Sequence, residues 1–120
     1  MSSRFASLAL DAVDVDAQTR FWTQALGYRV AEEFDGGISL APADGIPGPP
    51  IDIIPVPDKK TAKLRLHMDL LPHGCTQEEE VERLLALGAV RADVGQGSSV
   101  DWVVLADPEG NEFCILSARD

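Results

Sequence analysis

The sequence is short of cysteine, of aromatic side chains and of positive charge, and it has no long apolar run. Cys75 and Cys114 are the only two cysteines in 120 residues, and they show no C-x-x-C spacing. They allow at most one disulfide, which excludes a cystine-stapled scaffold. Ten Lys and Arg stand against twenty Asp and Glu, a formal net charge of −10. That is the wrong sign for a nucleic-acid backbone, and equally wrong for an anionic membrane. The acidity is read as a device for solubility. No stretch approaches the roughly 20 apolar residues of a membrane span. The opening "MSSRFASLALDAVDVD" lacks a basic region followed by an apolar core, so the expected location is cytoplasmic.

What is present is the composition of a globular chain, 45% hydrophobic and 25% charged, at a length that fits one domain with a real core. The order of elements repeats within it. Strands are expected at 5–11, 28–33, 38–41 and 51–56, with a helix after Asp14 or Asp16, either of which can cap it. Ala17, Phe21, Ala25 and Leu26 form the helix's apolar stripe, and Gly27 suits its end. After the linker "PDKKTAK" the pattern restarts with the strand "LRLHMDLL". "TQEE" then reads as a capping box, Thr76 at the cap and Glu79 reaching back. Val81, Leu84 and Leu85 give that helix its stripe, Gly88 ends it, and strands follow at 90–94, 101–105 and 112–116.

The helix exits "ALGYRVAE" and "ALGAVRAD" are nearly the same text. The chain is therefore expected to be one domain, 1–120, built of module one at 1–57 and module two at 64–120. Each module reads strand–helix–strand–strand–strand, an α+β arrangement. A half of this size is marginal alone, so the two are expected to share a core and a sheet.

Side chains alternate across a strand. In "LRLHMDL" this puts Leu64, Leu66, Met68 and Leu70 on a face expected to lie against helices. Arg65, His67 and Asp69 take the other face. In 112–116, Phe113 and Ile115 oppose Glu112, Cys114 and Leu116. Such a polar face can simply be wet. However, it also gathers Cys114, Ile54 and Trp102, which points to a concave pocket of mixed polarity. "DPEG" at 107–110 fits a type I turn that returns the chain toward Cys114.

On "FWTQALGYRV", "LHMDL", "LLALGA" and above all "VVLADPEGNEF", in this order and spacing, the chain resembles the vicinal oxygen chelate superfamily. That group includes glyoxalase I, bleomycin-resistance proteins and extradiol dioxygenases. The likeness covers nearly the whole chain and is greatest for small bacterial glyoxalase-like domains of unassigned activity. It implies two βαβββ modules forming a cupped mixed sheet, and a homodimer. Metal-dependent members carry ligands on the first and last strand of each module. Carried over, these positions fall on Ser7, on Ile54 or Asp52, on His67 and on Cys114. Only His67 is a usual ligand. Cys114 stands where a glutamate is usual, so the resemblance implies no metal and no other cofactor, the divalent-metal alternative resting on His67 and Cys114 alone.

The expected function is accordingly the binding of a small organic molecule in the sheet cavity. His67, Cys114, Trp102, Arg65 and Asp69 are its lining candidates, joined by Ser7 and Asp52 from module one. Two alternatives remain: an enzyme of the glyoxalase type (a metal-dependent lyase, isomerase or dioxygenase, or a metal-free catalyst using His67), and a protein-interaction module. "GQGSS" at 95–99 lacks the full phosphate-loop spacing and reads as a connection. Lys59, Lys60, Lys63 and Arg65 read as a solvated basic linker, and Cys75 receives no role.

Overall fold

Asp14 opens the first helix: its side chain accepts from Ala17 N at 3.0 Å, and Gly27, at φ 71°, closes it. These two signals bound α1 at Val15–Leu26 in the computed structural model, which describes residues 1–97 and 99–117. The chain divides into two compact units, Met1–Lys59 and Lys60–Asp120.

In the first unit, α1 follows β1 (Leu8–Ala12) and precedes β2 (Tyr28–Phe34), β3 (Gly37–Pro42) and β4 (Ile51–Pro55). The sheet order is β1-β4-β3-β2, with β1 parallel to β4 and the other pairs antiparallel. Asp35 and Gly36, at φ 41° and 83°, make the two-residue hairpin between β2 and β3, where both central residues need the left-handed region. Alternation along β4 buries Ile51 and Ile53, which with Leu40 and the helix residues Phe21, Trp22 and Ala25 make this unit's core. Each fully buried aliphatic side chain there contributes roughly 1.5–3 kcal/mol. The helix is rotated slightly from its expected stripe. Gln18 and Trp22 are buried, while Ala17 and Leu26 are only half-buried. The Phe21 and Trp22 rings meet edge to face at 5.0 Å.

The second unit repeats the order with β5 (Asp69–Leu70), α2 (Gln77–Leu87), β6 (Val90–Arg91), β7 (Val103–Ala106) and β8 (Glu112–Ile115). Its sheet, β5-β8-β7-β6, has the same topology as the first, with the first and last strands again parallel. The capping box is complete: Thr76 Oγ1 accepts from Glu79 N at 3.1 Å, and Thr76 N donates to Glu79 Oε1 at 2.9 Å. The "DPEG" turn closes through Gly110 N to Asp107 O at 2.9 Å. The buried Asp107 carboxylate also accepts from Glu109 N, Asn111 N and Asn111 Nδ2. Among the described residues no helix is long and apolar enough to cross a membrane.

The architecture is therefore α+β with two βαβββ-like modules, but the strands make two four-stranded sheets rather than one. Several strands, β5 and β6 above all, are shorter than their alternation suggests, while β2 and β3 run slightly longer. The expected strand over Leu64–Leu71 is reduced to Asp69–Leu70, and Leu66, expected against a helix, is 84% exposed. Its physical reason is a long-range bond. Leu64 N donates to the Glu112 carboxylate at 3.1 Å and is drawn out of the strand path. The expected strand at 90–94 ends at Arg91, because Gly95 N turns back onto Asp93 and Val94 N onto Gln96. β7 starts at Val103, which leaves Trp102 just outside it and 39% exposed. Ser98, within the expected "GQGSS" connection, lies outside the described residues.

Candidate functional site

β5 and β8 run parallel with Asp69 opposite Cys114. Neighbours across a ladder share a face, and so do residues two apart on one strand. Asp69, Glu112 and Cys114 therefore belong to one face of the second sheet and Phe113 and Ile115 to the other, while His67, two residues before β5, sits beside Asp69. The face holds a tight polar group. His67 Nδ1 lies 3.1 Å from Asp69 Oδ1. The ligating atoms of His67, Asp69 and Cys114 all fall within 4.8 Å of one another. The imidazole and carboxylate are about half exposed, at 42% and 48%, and the thiol beneath them is buried.

Burial pushes the Cys114 thiol above its ordinary value. The Asp69 charge, and the bond the thiol donates to that carboxylate, push it further, with Lys63 opposing. The thiol is held neutral. A cysteine nucleophile needs the reverse, a thiolate favoured by a neighbouring cation. Here Asp69 stands next to both partners, so the arrangement is not that of a thiolate activated by histidine.

Glu112, on the same face, is a residue the sequence offered without a role. Its Oε2 pairs with Lys60 Nζ at 3.1 Å, and its Oε1 accepts from Leu64 N. Burial raises its carboxyl pKa, but the Leu64 N–H, its own N–H and Lys60 outweigh that and hold it below the ordinary 4.5. Lys60, read as a solvated linker lysine, is instead an ion-paired one. Arg65 is exposed, as is Trp102. Cys75 lies half-buried, its sulfur 3.9 Å from Glu80 Oε1.

In the first unit, Ser7 and Asp52 meet each other, and Ser39 joins them. Ser7 Oγ donates to Asp52 Oδ2 at 3.0 Å and Ser39 Oγ to Oδ1 at 2.6 Å. The register explains this, since Asp52 pairs with Ala9 on one side and Ser39 on the other. The sequence alone does not single out Ser39. Its signal was its even spacing within β3, legible only once the β3–β4 register is known. A cavity of ≈ 380 Å³ opens at the β2–β3 hairpin, lined by Asp16, Glu33, Phe34, Asp35, Gly37 and Ile38, and none of the seven expected site residues lines it.

The glyoxalase-like domain family matches residues 7–116, from Ser7 to the residue after β8. The chain belongs to that family, within the vicinal oxygen chelate superfamily. Solved structures share the fold. A fosfomycin resistance protein, FosX, from Listeria monocytogenes complexed with Mn(II) and sulfate is 17% identical, with a TM-score of 0.74 over 99% of this chain and 93% of that one. A hypothetical protein, SA1046, from S. aureus is 15% identical, with a TM-score of 0.71 over 98% and 96% of the two chains. A glyoxalase/bleomycin resistance protein/dioxygenase family enzyme from Burkholderia phytofirmans is 21% identical, with a TM-score of 0.65 over 92% and 94%. No protein of curated function matches significantly. A point mutant of the Listeria protein has also been solved with Mn(II) and 1S,2S-dihydroxypropylphosphonic acid. Against such relatives, this glyoxalase-like domain brings one histidine, one aspartate and one cysteine together in its second module.

Proposed function

We propose that this glyoxalase-like domain binds a small, partly apolar organic molecule on the polar face of its second module. His67 and Asp69 supply the polar contacts, and the neutral Cys114 thiol lies beneath them. The supporting observation is the cluster itself: two half-exposed ionisable side chains set over a buried thiol on one sheet face. Sites of this kind combine apolar surface with a few convergent polar groups. The Listeria relative's organic ligand supports the reading by analogy of fold. Trp102 and Arg65 are exposed candidates for further contacts. Ser7 and Asp52, already satisfied with Ser39, serve to fasten the strands of module one. A homodimer belongs to the same reading, supported by exposed Phe5 and Val90.

The donor set supports a second, metal-dependent reading. Imidazole nitrogen, carboxylate oxygen and thiolate sulfur fit a borderline ion such as zinc with an open fourth position. They suit a hard ion such as Mn(II) poorly, because of the sulfur. His67, Asp69 and Cys114 would hold the ion, which would polarise an oxygen of the bound molecule.

One experiment addresses both readings. Purified protein is titrated with a panel of small carboxylates and aromatic alcohols, with and without zinc, while the His67 ring proton resonances are followed. Binding at the site moves those resonances, and His67→Ala abolishes the binding with the fold intact. Binding that survives His67→Ala removes the proposed site. A requirement for stoichiometric zinc selects the metal reading.

A further inference from the structure

The ladder between β5 and β8 stops earlier than its own geometry requires. Cys114 N donates to Met68 O at 2.9 Å and Leu116 N to Leu70 O at 2.8 Å, a regular parallel pattern. The next member in phase is Glu112 N to Leu66 O. In β8 the Phe113 backbone faces β7, across from Leu105, so the Glu112 N–H points toward β5. There it meets its own carboxylate instead. The same carboxylate takes Leu64 N and Lys60 Nζ, each at 3.1 Å. One side chain thus occupies the place of the strand carbonyl and holds the segment before β5 away from the sheet edge.

The held-off segment is written as a strand. Leu64, Leu66, Met68 and Leu70 alternate with Arg65, His67 and Asp69, yet Leu66 is 84% exposed while Met68 and Leu70 are half-buried. A period-two apolar pattern that leaves one member in water favours a seating in which that member is covered.

We propose that residues 64–67 form a detachable strand end with two seatings, and that Glu112 is the latch between them. In the seating described above the latch is closed. In the other, β5 extends back through Leu64, and Leu66 O accepts from Glu112 N. Leu66 then joins the face of Phe113 and Ile115, and His67 stands opposite Glu112. That second seating frees the Glu112 carboxylate from Lys60 and completes a two-by-two array of His67, Asp69, Glu112 and Cys114. Whatever binds His67 in one seating in preference to the other shifts the balance. The two seatings exist regardless of what that ligand is, so the latch stands or falls separately from the proposed function.

Amide hydrogen exchange on the full chain, corrected for intrinsic rates, reads the latch directly. Opening it with Glu112→Gln is expected to slow exchange at the residue-112 and Met68 amides, the second donating to the residue-112 carbonyl in the extended ladder, on the order of ten-fold. Lys60→Met, which removes only the ion pair, gives a smaller slowing at the same two amides and serves if Glu112→Gln fails to fold. Adding Leu66→Ser to either variant reverses the gain, because the covered leucine drives the second seating. Unchanged or faster exchange at these amides in the folded variants overturns the proposal. So does a gain that survives Leu66→Ser.

Discussion

Asp69 faces Cys114 across the parallel β5–β8 pairing, and its carboxylate beside the buried sulfur keeps the thiol protonated. The pairing makes the thiol a quiet one, and the following expectations begin from it.

Iodoacetamide should label Cys75 well before Cys114, which is buried and held protonated above its ordinary 9.0. Near neutral pH the lag should be about ten-fold, since the thiolate is the reacting form. Asp69→Asn removes the like charge and should speed labelling of Cys114, with Cys75 unaffected. Peptide mass spectrometry after timed quenching checks both. Equal rates at the two cysteines in the native chain would contradict the proton assignment.

The capping box ties α2 to pH. Glu79 is held below its ordinary 4.5 by the Thr76 backbone N–H and then by the Thr76 hydroxyl. A depressed carboxyl stabilises the fold above the unfolded value, and the contribution is lost as pH falls through the lower folded value. Thr76→Ala should cost about 1 kcal/mol near neutral pH, and the gap from the native chain should narrow below pH 4.5. Urea melts across that range test it, and a gap that widens in acid would refute the sign.

Asp107→Ala should be among the most damaging single changes in the second unit. The carboxylate is buried and accepts from two backbone N–H groups and the Asn111 amide. Losing charge-assisted bonds and leaving their donors unmet costs about 3 kcal/mol. Asp107→Asn, which keeps the shape but not the charge, should fall between. Chemical denaturation of the three proteins ranks them.

Gly48→Ala tests the 43–50 loop. Gly48 has φ 145°, and an added Cβ would run into the Tyr28 hydroxyl oxygen. The variant should break the bond from Tyr28 Oη to Pro49 O and cost about 1–3 kcal/mol. Gly45→Ala, in open space at φ 83°, should cost less. Thermal melts of the two variants compare them.

Much of this fold could be read before any coordinate was known, and the exceptions share a cause. The order of elements, the Thr76–Glu79 box and the 107–110 turn are local signals, each complete within a few residues. The meeting of Asp69 with Cys114 needed only strand alternation and the parallel pairing of the module's end strands, and His67, just before β5, joins them beside Asp69. What escaped is non-local. The shortening of β5 is caused by Glu112, 48 residues from the Leu64 amide it captures. Ser39 reaches Asp52 only through a strand register that no single segment encodes. The 39% exposure of Trp102 follows from where β7 begins, which alternation alone does not mark.

The chain contains one tyrosine, and its hydroxyl fastens the Pro49 carbonyl while burial pushes its ionisation above 10.0. The ultraviolet absorbance of phenolate is distinct from that of neutral phenol, so a plain alkaline titration becomes an unlabelled optical gauge of the neighbouring turn. If the loop lifts, the midpoint slides back toward that of a free phenol, with no second tyrosine to blur the signal.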